Sequence, residues 1–227
     1  CDRRQRQMCI RDRVLTVVGT FLNVFATTLA AYALSKRRLR GRKIFVGMIV
    51  FTMLFSGGMI PNFILIKSLH LMDTFSGLWL MGLISTYNMI VMKTSFESVP
   101  ESLCEAASID GANEPTILLK VVVPVSKAVI ATMVLFYAVG WWNAYFNPML
   151  YLSSTNKFPM MVKLKQMLDT AKMIEVSAGE GLVDSTFIAA ETYKAASILV
   201  VTLPIVLVYP FLQKYFVKGA MIGSIKG

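Results

Sequence analysis

Residues Val99–Pro124 read VPESLCEAASIDGANEPTILLKVVVP, a long polar-rich interval between apolar runs that is itself patterned like helices. Five acids gather at it, Glu97 just before and then Glu101, Glu105, Asp110 and Glu114, in a chain with only 16% charged residues. Pro100 and Ser102 suit a helix start, where a missing N–H costs nothing and a hydroxyl can cap. Leu103, Ala106 and Ala107 then form a small apolar face, with Glu101 and Glu105 one turn apart beside it. Asp110-Gly111 is a turn signal, because glycine accepts the positive φ that closes a short helix. A second apolar helical run follows Pro115 and ends near Pro124. Helix, glycine turn and helix, polar enough to sit in water, predict a docking place for something outside a bilayer.

Composition places that stretch in a membrane protein. The chain has 227 residues, 56% of them hydrophobic, and a mean hydropathy of +0.61. A soluble domain carries roughly 25% charged residues, and about 20 uncharged residues suffice to span ~30 Å of hydrocarbon. Five runs meet or approach that length, at about 14–35, 44–66, 74–92, 128–152 and 195–213, so an all-α polytopic transmembrane bundle is expected. A soluble protein with five such runs would have too little polar surface left.

The net charge of +10 is distributed as a topology signal and not as a nucleic-acid footprint. Six bases crowd Lys36–Lys43 (KRRLRGRK) with no acid among them, and Lys214, Lys218 and Lys226 follow the last run. Basic clusters in short loops mark the cytoplasmic side. In the segment Tyr151–Tyr193, Lys157, Lys163, Lys165 and Lys172 are offset by Asp169, Glu175, Glu180, Asp184 and Glu191, which suits the outside. The link Lys67–Asp73 is then external, and residues 97–124 and the C-terminus are cytoplasmic. Residues 1–13 break the pattern, with five Arg against two Asp. Their string RRQRQMCIRDR resembles the translation of a transposase adaptor used in DNA library preparation. A non-native leader at 1–13, before an N-terminally truncated transmembrane domain at 14–227, is therefore expected, with a genuine basic arm as the alternative. Without the leader only Cys104 remains, and neither disulfide nor metal spacing exists.

Within the runs, Gly19, Ala26, Ala30, Ala31 and Ala33 let helices approach closely, and Asn23, Thr27 and Thr28 need partners in lipid. Phe55–Phe63 (FSGGMIPNF) contains Gly57, Gly58 and Pro61, which predict either a kinked helix lining a path or an ordinary helix end. Asn88 is a polar group in the third run. In the fourth, Phe136–Leu152 (FYAVGWWNAYFNPMLYL) combines aromatic faces that stack on sugar rings with amides that bond hydroxyls. Trp142, Asn143 and Tyr145, with Asn88, are the candidate substrate-pathway residues, although Trp and Tyr also gather at membrane interfaces without any ligand. The middle of the external segment, Met167–Asp184, reads as a loop with a short helix, facing a partner or simply solvated. The tail KYFVKGAMIGSIKG is too apolar for simple disorder, which suggests a protein contact.

No catalytic constellation or metal site is present, and no GxxxxGK[ST] loop occurs to hold ATP phosphates. No ionisable side chain lies deep in any run to relay protons. A transporter of this kind must borrow energy from a partner.

Glu105-Ala106-Ala107, three residues, Gly111, nine residues, then Val121, Val122, Val123 and Pro124 resembles the EAA loop of bacterial ATP-binding-cassette importer permeases, with Val where the pattern has Ile and Leu. AAYALSKRRLRGRK, FTMLFSGGMIP, FYAVGWWN and YPFLQKYFVKGAMIGSIKG extend the resemblance over 14–227 and look like the carbohydrate-uptake branch. The resemblance implies a type I importer fold with five of the usual six spans, in the bacterial cytoplasmic membrane. It implies that residues 97–124 couple to a separate ATPase through Glu105, Ala106, Ala107, Asp110, Gly111, Ala112 and Pro124. It further implies tail contacts at Lys218, Gly219, Lys226 and Gly227. ATP and Mg would be held by that ATPase and no cofactor by this chain. A second, non-identical permease and an extracellular solute-binding lipoprotein would complete the importer, and no nucleic acid would be involved. An importer of the same architecture for a non-sugar solute stays open, as does a channel or membrane scaffold.

Overall fold

The computed structural model describes residues 3–177 and the isolated positions 195, 199, 202 and 206. Among these residues all regular elements are helices. The longest, α1 (Arg3–Ser35), runs through the expected first span without interruption. Its Ile10–Ser35 part is the one described helix long and apolar enough to cross a membrane alone. At about 1.5 Å per residue it exceeds the ~30 Å hydrocarbon core.

The next three expected spans are each broken, and the sequence shows why. The run 44–66 divides into α2 (Arg42–Leu54) and α3 (Met59–Ser68), which meet at 112°. Gly58 lies between them at φ +85°, ψ 173°, a conformation open essentially to glycine alone. The Phe55–Phe63 stretch, read as either a kink or an ordinary helix end, is thus a full break, and 44–66 is not one straight crossing. The run 74–92 becomes α4 (Phe75–Met81) and α5 (Thr86–Glu97), bent by 56°. Helix α5 also continues past the expected end at 92. The run 128–152 becomes α9 (Lys127–Trp142) and α10 (Phe146–Tyr151), interrupted at Asn143–Tyr145. The fifth run, 195–213, lies outside the described residues except for Ala195, Leu199, Thr202 and Val206, which are helical. Downstream, α11 (Met160–Ser177) has 18 residues, so the first half of the expected external loop is a substantial helix.

Helix α1 is the spine, packed along α5 and α9. Near its C-terminal end, Ala31, Tyr32 and Leu34 join Met89, Met92, Phe96, Met133 and Tyr137 in one apolar core. Toward its other end Leu15 joins Ile66, Leu78, Tyr151, Leu152, Phe158 and Val162 in a second. Close approach needs small residues here: a Cβ on Gly19 would lie 2.7 Å from the Trp141 indole. The polar residues that needed partners find them in part: the Asn23 amide nitrogen and the Thr27 and Thr28 hydroxyls are bonded, while Asn23 Oδ1 has no hydrogen-bond partner among the described residues. Asn23 Nδ2 donates to the Gly82 carbonyl at 2.9 Å. The hydroxyls of Thr27 and Tyr137 bond at 2.7 Å, and Ser85 N–H donates to the same Tyr137 oxygen at 3.2 Å. These bonds satisfy backbone groups freed by the α4–α5 break, which in hydrocarbon would otherwise cost several kcal/mol each, on the order of an unmade buried hydrogen bond. Helix α2, in contrast, buries none of its residues and presents Phe45, Met48, Phe51 and Leu54 outward.

Candidate coupling site

Residues 97–124 fold as a short helix, a glycine turn and a second helical segment. Helix α6 (Glu101–Ile109) begins after Pro100, which stands at the N-cap. No side chain caps it, so the expected hydroxyl cap from Ser102 is absent: Ser102 lies inside the first turn and Pro100 occupies the cap position. The C-terminal end explains the motif spacing. Gly111 has φ +78°, its N–H bonds to the Ser108 carbonyl at 3.1 Å, and the Ala112 N–H reaches back to Ala107 at 3.0 Å. This paired 5→2 and 6→1 pattern is the Schellman motif, in which the left-handed residue follows the C-cap. Asp110 is that C-cap. Ala107 and Ala112, whose backbones the motif links, both pack on the core around Tyr32 and Phe96. The alanines are small because the helix end lies close against that core.

After Asn113, α7 (Glu114–Ile117) passes through a widened π turn at Leu118–Val122 into α8 (Val123–Val125). Pro124 lies in the first turn of α8. It has no N–H to offer the preceding turn, and the widened ring falls directly before it. The segment then meets α9 at 88°.

The apolar face of α6 is divided differently from the sequence expectation. Cys104 and Ala107 face the core, while Leu103 and Ala106 point to solvent with Ile109, which is 86% exposed. Positions 103, 106 and 109 recur every three residues and make an outward apolar stripe. Ile109 was not singled out by sequence, because a lone apolar residue before Asp-Gly reads as a helix end.

Three of the five acids are paired within the chain by the same basic stretch that indicated topology. Glu97 bonds Arg42, and Lys93 lies 2.9 Å from it. Glu105 faces Arg38 at 3.8 Å, both exposed; such a pair is worth about 0–1 kcal/mol and exchanges readily for another base. Glu114 accepts a short hydrogen bond from the Tyr32 hydroxyl and an ion pair from Lys36 at 3.1 Å. The Tyr32 bond, with Lys36 adding to it against some burial, holds the Glu114 carboxyl below its ordinary range. Glu101 and Asp110 make no ion pair among the described residues. Between the α1–α2 turn and α6, Lys36, Arg38, Glu97, Glu101, Glu105 and Glu114 line an open cavity of about 530 Å³.

The remaining candidates scatter. Asn88 is buried in the first turn of α5. Trp142 ends α9 beside a cavity of about 10 Å³ shared with Asp12, Leu15 and Met160. Asn143 and Tyr145 are exposed in the break beyond it. Lys218, Gly219, Lys226 and Gly227 lie outside the described residues. Among the described residues no group of three or more His, Cys, Asp or Glu could hold a metal ion.

With this geometry in view, residues 23–221 match the family described as binding-protein-dependent transport system inner membrane component. The chain belongs to that family. It is 45% identical, over 94% of its own length and 74% of the relative's, to the polygalacturonan/rhamnogalacturonan transport system permease protein YtcP of Bacillus subtilis. Protein LplC of the same organism is 43% identical over 94% of this chain and 72% of its own. A solved bacterial ABC transporter involved in the import of the acidic polysaccharide alginate has a chain that aligns with a TM-score of 0.81 and 35% identity, covering 95% of this chain and 76% of that one. The permease is thus an all-helical transport subunit of an ABC importer in the cytoplasmic membrane, not an enzyme, and the ATPase is a separate subunit.

Proposed function

We propose that this permease takes oligosaccharides or acidic polysaccharide fragments through the membrane and couples their passage to ATP hydrolysis through residues 97–124. The observation that carries the coupling role is the outward stripe Leu103, Ala106 and Ile109 on a helix whose end is fixed by Gly111. An exposed apolar stripe rimmed by Glu101, Glu105 and Asp110 suits a groove with basic edges in an ATPase that holds ATP and Mg. Glu105, already in a weak exposed pair, can pass from Arg38 to a base of that partner. The names of the relatives support the carbohydrate class. A second, non-identical permease and a solute-binding lipoprotein complete the importer, with the coupling loop and the C-terminal tail (Lys218, Gly219, Lys226, Gly227) on the cytoplasmic side.

Gly111→Asp tests this directly. Open space surrounds the Gly111 Cβ position, and Asp is among the residues that tolerate left-handed backbone. The variant therefore keeps the turn and places a charge on the docking face. Stable insertion with uptake abolished is expected; normal uptake by a stably inserted variant would refute the coupling role.

A further inference from the structure

Polar side chains on α1 fall in two adjacent rows with four-residue spacing, which places each row on one helix face. Asn23 and Thr27 make the first row, and they reach the α4–α5 break: Asn23 to the Gly82 carbonyl, Thr27 through Tyr137 to the Ser85 N–H. Thr28 and Tyr32 make the second, and Lys36, the residue after the helix ends at Ser35, lies next along it. Thr28 reaches Met92 at 3.4 Å, and Tyr32 and Lys36 converge on Glu114 in the coupling loop. One unbroken helix therefore touches the loop at one place and a helix break at another. The same break is joined to the loop by α5, which leads from Thr86 to Glu97 and then into α6 through Ser98–Pro100. Loop, α1 and α5 form a triangle whose third corner is Gly82–Ser85. A triangle transmits displacement, whereas two bars meeting at Pro100 would hinge.

We propose that Glu114 is a positioning residue that fastens the coupling loop to α1 through Tyr32 and Lys36, so that loop displacement is delivered to the break at Gly82–Ser85. This rests on the coupling reading above and adds the route by which the loop acts. Tyr32 is 8% exposed and fixed in the core, while the Glu114 side chain is 66% exposed. The buried member lies on the spine and the solvent-facing member on the loop. Without the Glu114 contact the loop keeps only its apolar packing on the core, which can slide, and less of its displacement reaches α1.

The test uses the whole importer, with both permeases, ATPase and binding protein, in lipid nanodiscs. A nitroxide is placed at Ile84→Cys, within the break, or at Ser108→Cys, on α6, with the native cysteines replaced by Ser. The change in each spectrum on adding ATP and Mg is then recorded. In Glu114→Ala, the response at residue 108 is expected to persist and that at residue 84 to fall by about fivefold or more, a typical coupling factor. The double variant Tyr32→Phe/Lys36→Met leaves every loop residue in place and is expected to give the same loss. Glu114→Gln keeps an acceptor for Tyr32 and is expected to fall in between. An undiminished response at residue 84 in either Glu114→Ala or the double variant overturns the fastening role alone. No response at either label in the unsubstituted importer overturns the coupling reading, and this inference with it.

Discussion

Two acid-centred contacts lie toward opposite ends of the α1 spine, and they are built differently. At one end Asp73 gathers everything on a single residue. Its Oδ1 accepts from the Ser153 and Ser154 amides at 3.0 Å each, and its Oδ2 from Ser154 Oγ at 2.6 Å and Lys157 at 2.7 Å. Its own N–H donates to Tyr151 at 2.9 Å, and its backbone sits at φ +56°. At the other end three acids, Glu97, Glu105 and Glu114, reach bases on different elements, and an apolar stripe is left uncovered. Convergence on one carboxylate fixes one geometry. Distribution over three acids lets contacts be made and lost separately, which is what the proposed joint to an ATPase needs.

The largest way to break this contrast lies in the joint. Gly111→Val places a β-branched side chain at φ +78°, at a cost of about 1–2 kcal/mol for left-handed backbone or more for such a residue. The turn then relaxes and α6 loses its orientation. Uptake in whole cells is expected to fall at least tenfold while the membrane-inserted amount stays within about twofold, because a Cβ meets nothing there. An equal fall in inserted protein would mean that Gly111 serves folding instead. At the clamp the outcome reverses. A Cβ on Gly77 would come 2.6 Å from the Leu71 carbonyl, in the turn that Thr74 caps. Gly77→Ala is therefore expected to cost about 1–3 kcal/mol, the usual range for overpacking, seen as a lower Tm of the detergent-solubilised permease. Coupling of the surviving protein should be unaffected.

What was legible in the sequence follows from how local each cause is. The Gly111 turn and α6 were legible because a Schellman end depends on residues within one helical turn. The membrane class and the cytoplasmic placement expected for 97–124 followed from composition and charge, while the coupling role proposed for it came from the resemblance of its motif. Helix breaks were legible only in part: Gly57 and Gly58 announced trouble, but the 112° angle depends on what α3 packs against. The α4–α5 break had a weaker signal, Gly82 alone, because the bonds that make it tolerable come from Asn23 and Tyr137, 59 and 52 residues away from Gly82 and Ser85 in the chain. Likewise the basic run 36–43 read as a topology marker, and its pairing with Glu97, Glu105 and Glu114 was invisible until the fold brought them together.

A middle-sized effect is expected between the two ends. Tyr137→Phe removes the hydroxyl shared by Thr27 and the Ser85 N–H. Hydrogen bonds inside membrane proteins average about 0.6 kcal/mol with a maximum near 1.7, so a loss of about 1 kcal/mol is expected from thermal unfolding in detergent. If the α4–α5 break is carried by α1, Tyr137→Phe should also blunt the response to ATP, which Gly77→Ala should not.

The smallest expected effect sharpens the contrast by pH. Lys157 foremost, then the Ser154 hydroxyl and amide, hold the Asp73 carboxyl well below the usual carboxylate range. A group whose folded pKa is depressed contributes stability that is fully present above its unfolded pKa, about 3.9, and that disappears as pH falls toward the folded value. The Tm difference between the permease and its Asp73→Asn variant should therefore be flat from about pH 8 to pH 5 and narrow only below about pH 4. The site is open to solvent, so salt should shrink the difference at every pH. A difference that already closes between pH 8 and pH 6 would show that the Asp73 carboxylate is not what holds this end. The convergent clamp would then reduce to the backbone of Asp73, whose N–H donates to Tyr151 and whose carbonyl accepts from Lys157, and the carboxylate would no longer distinguish the two ends.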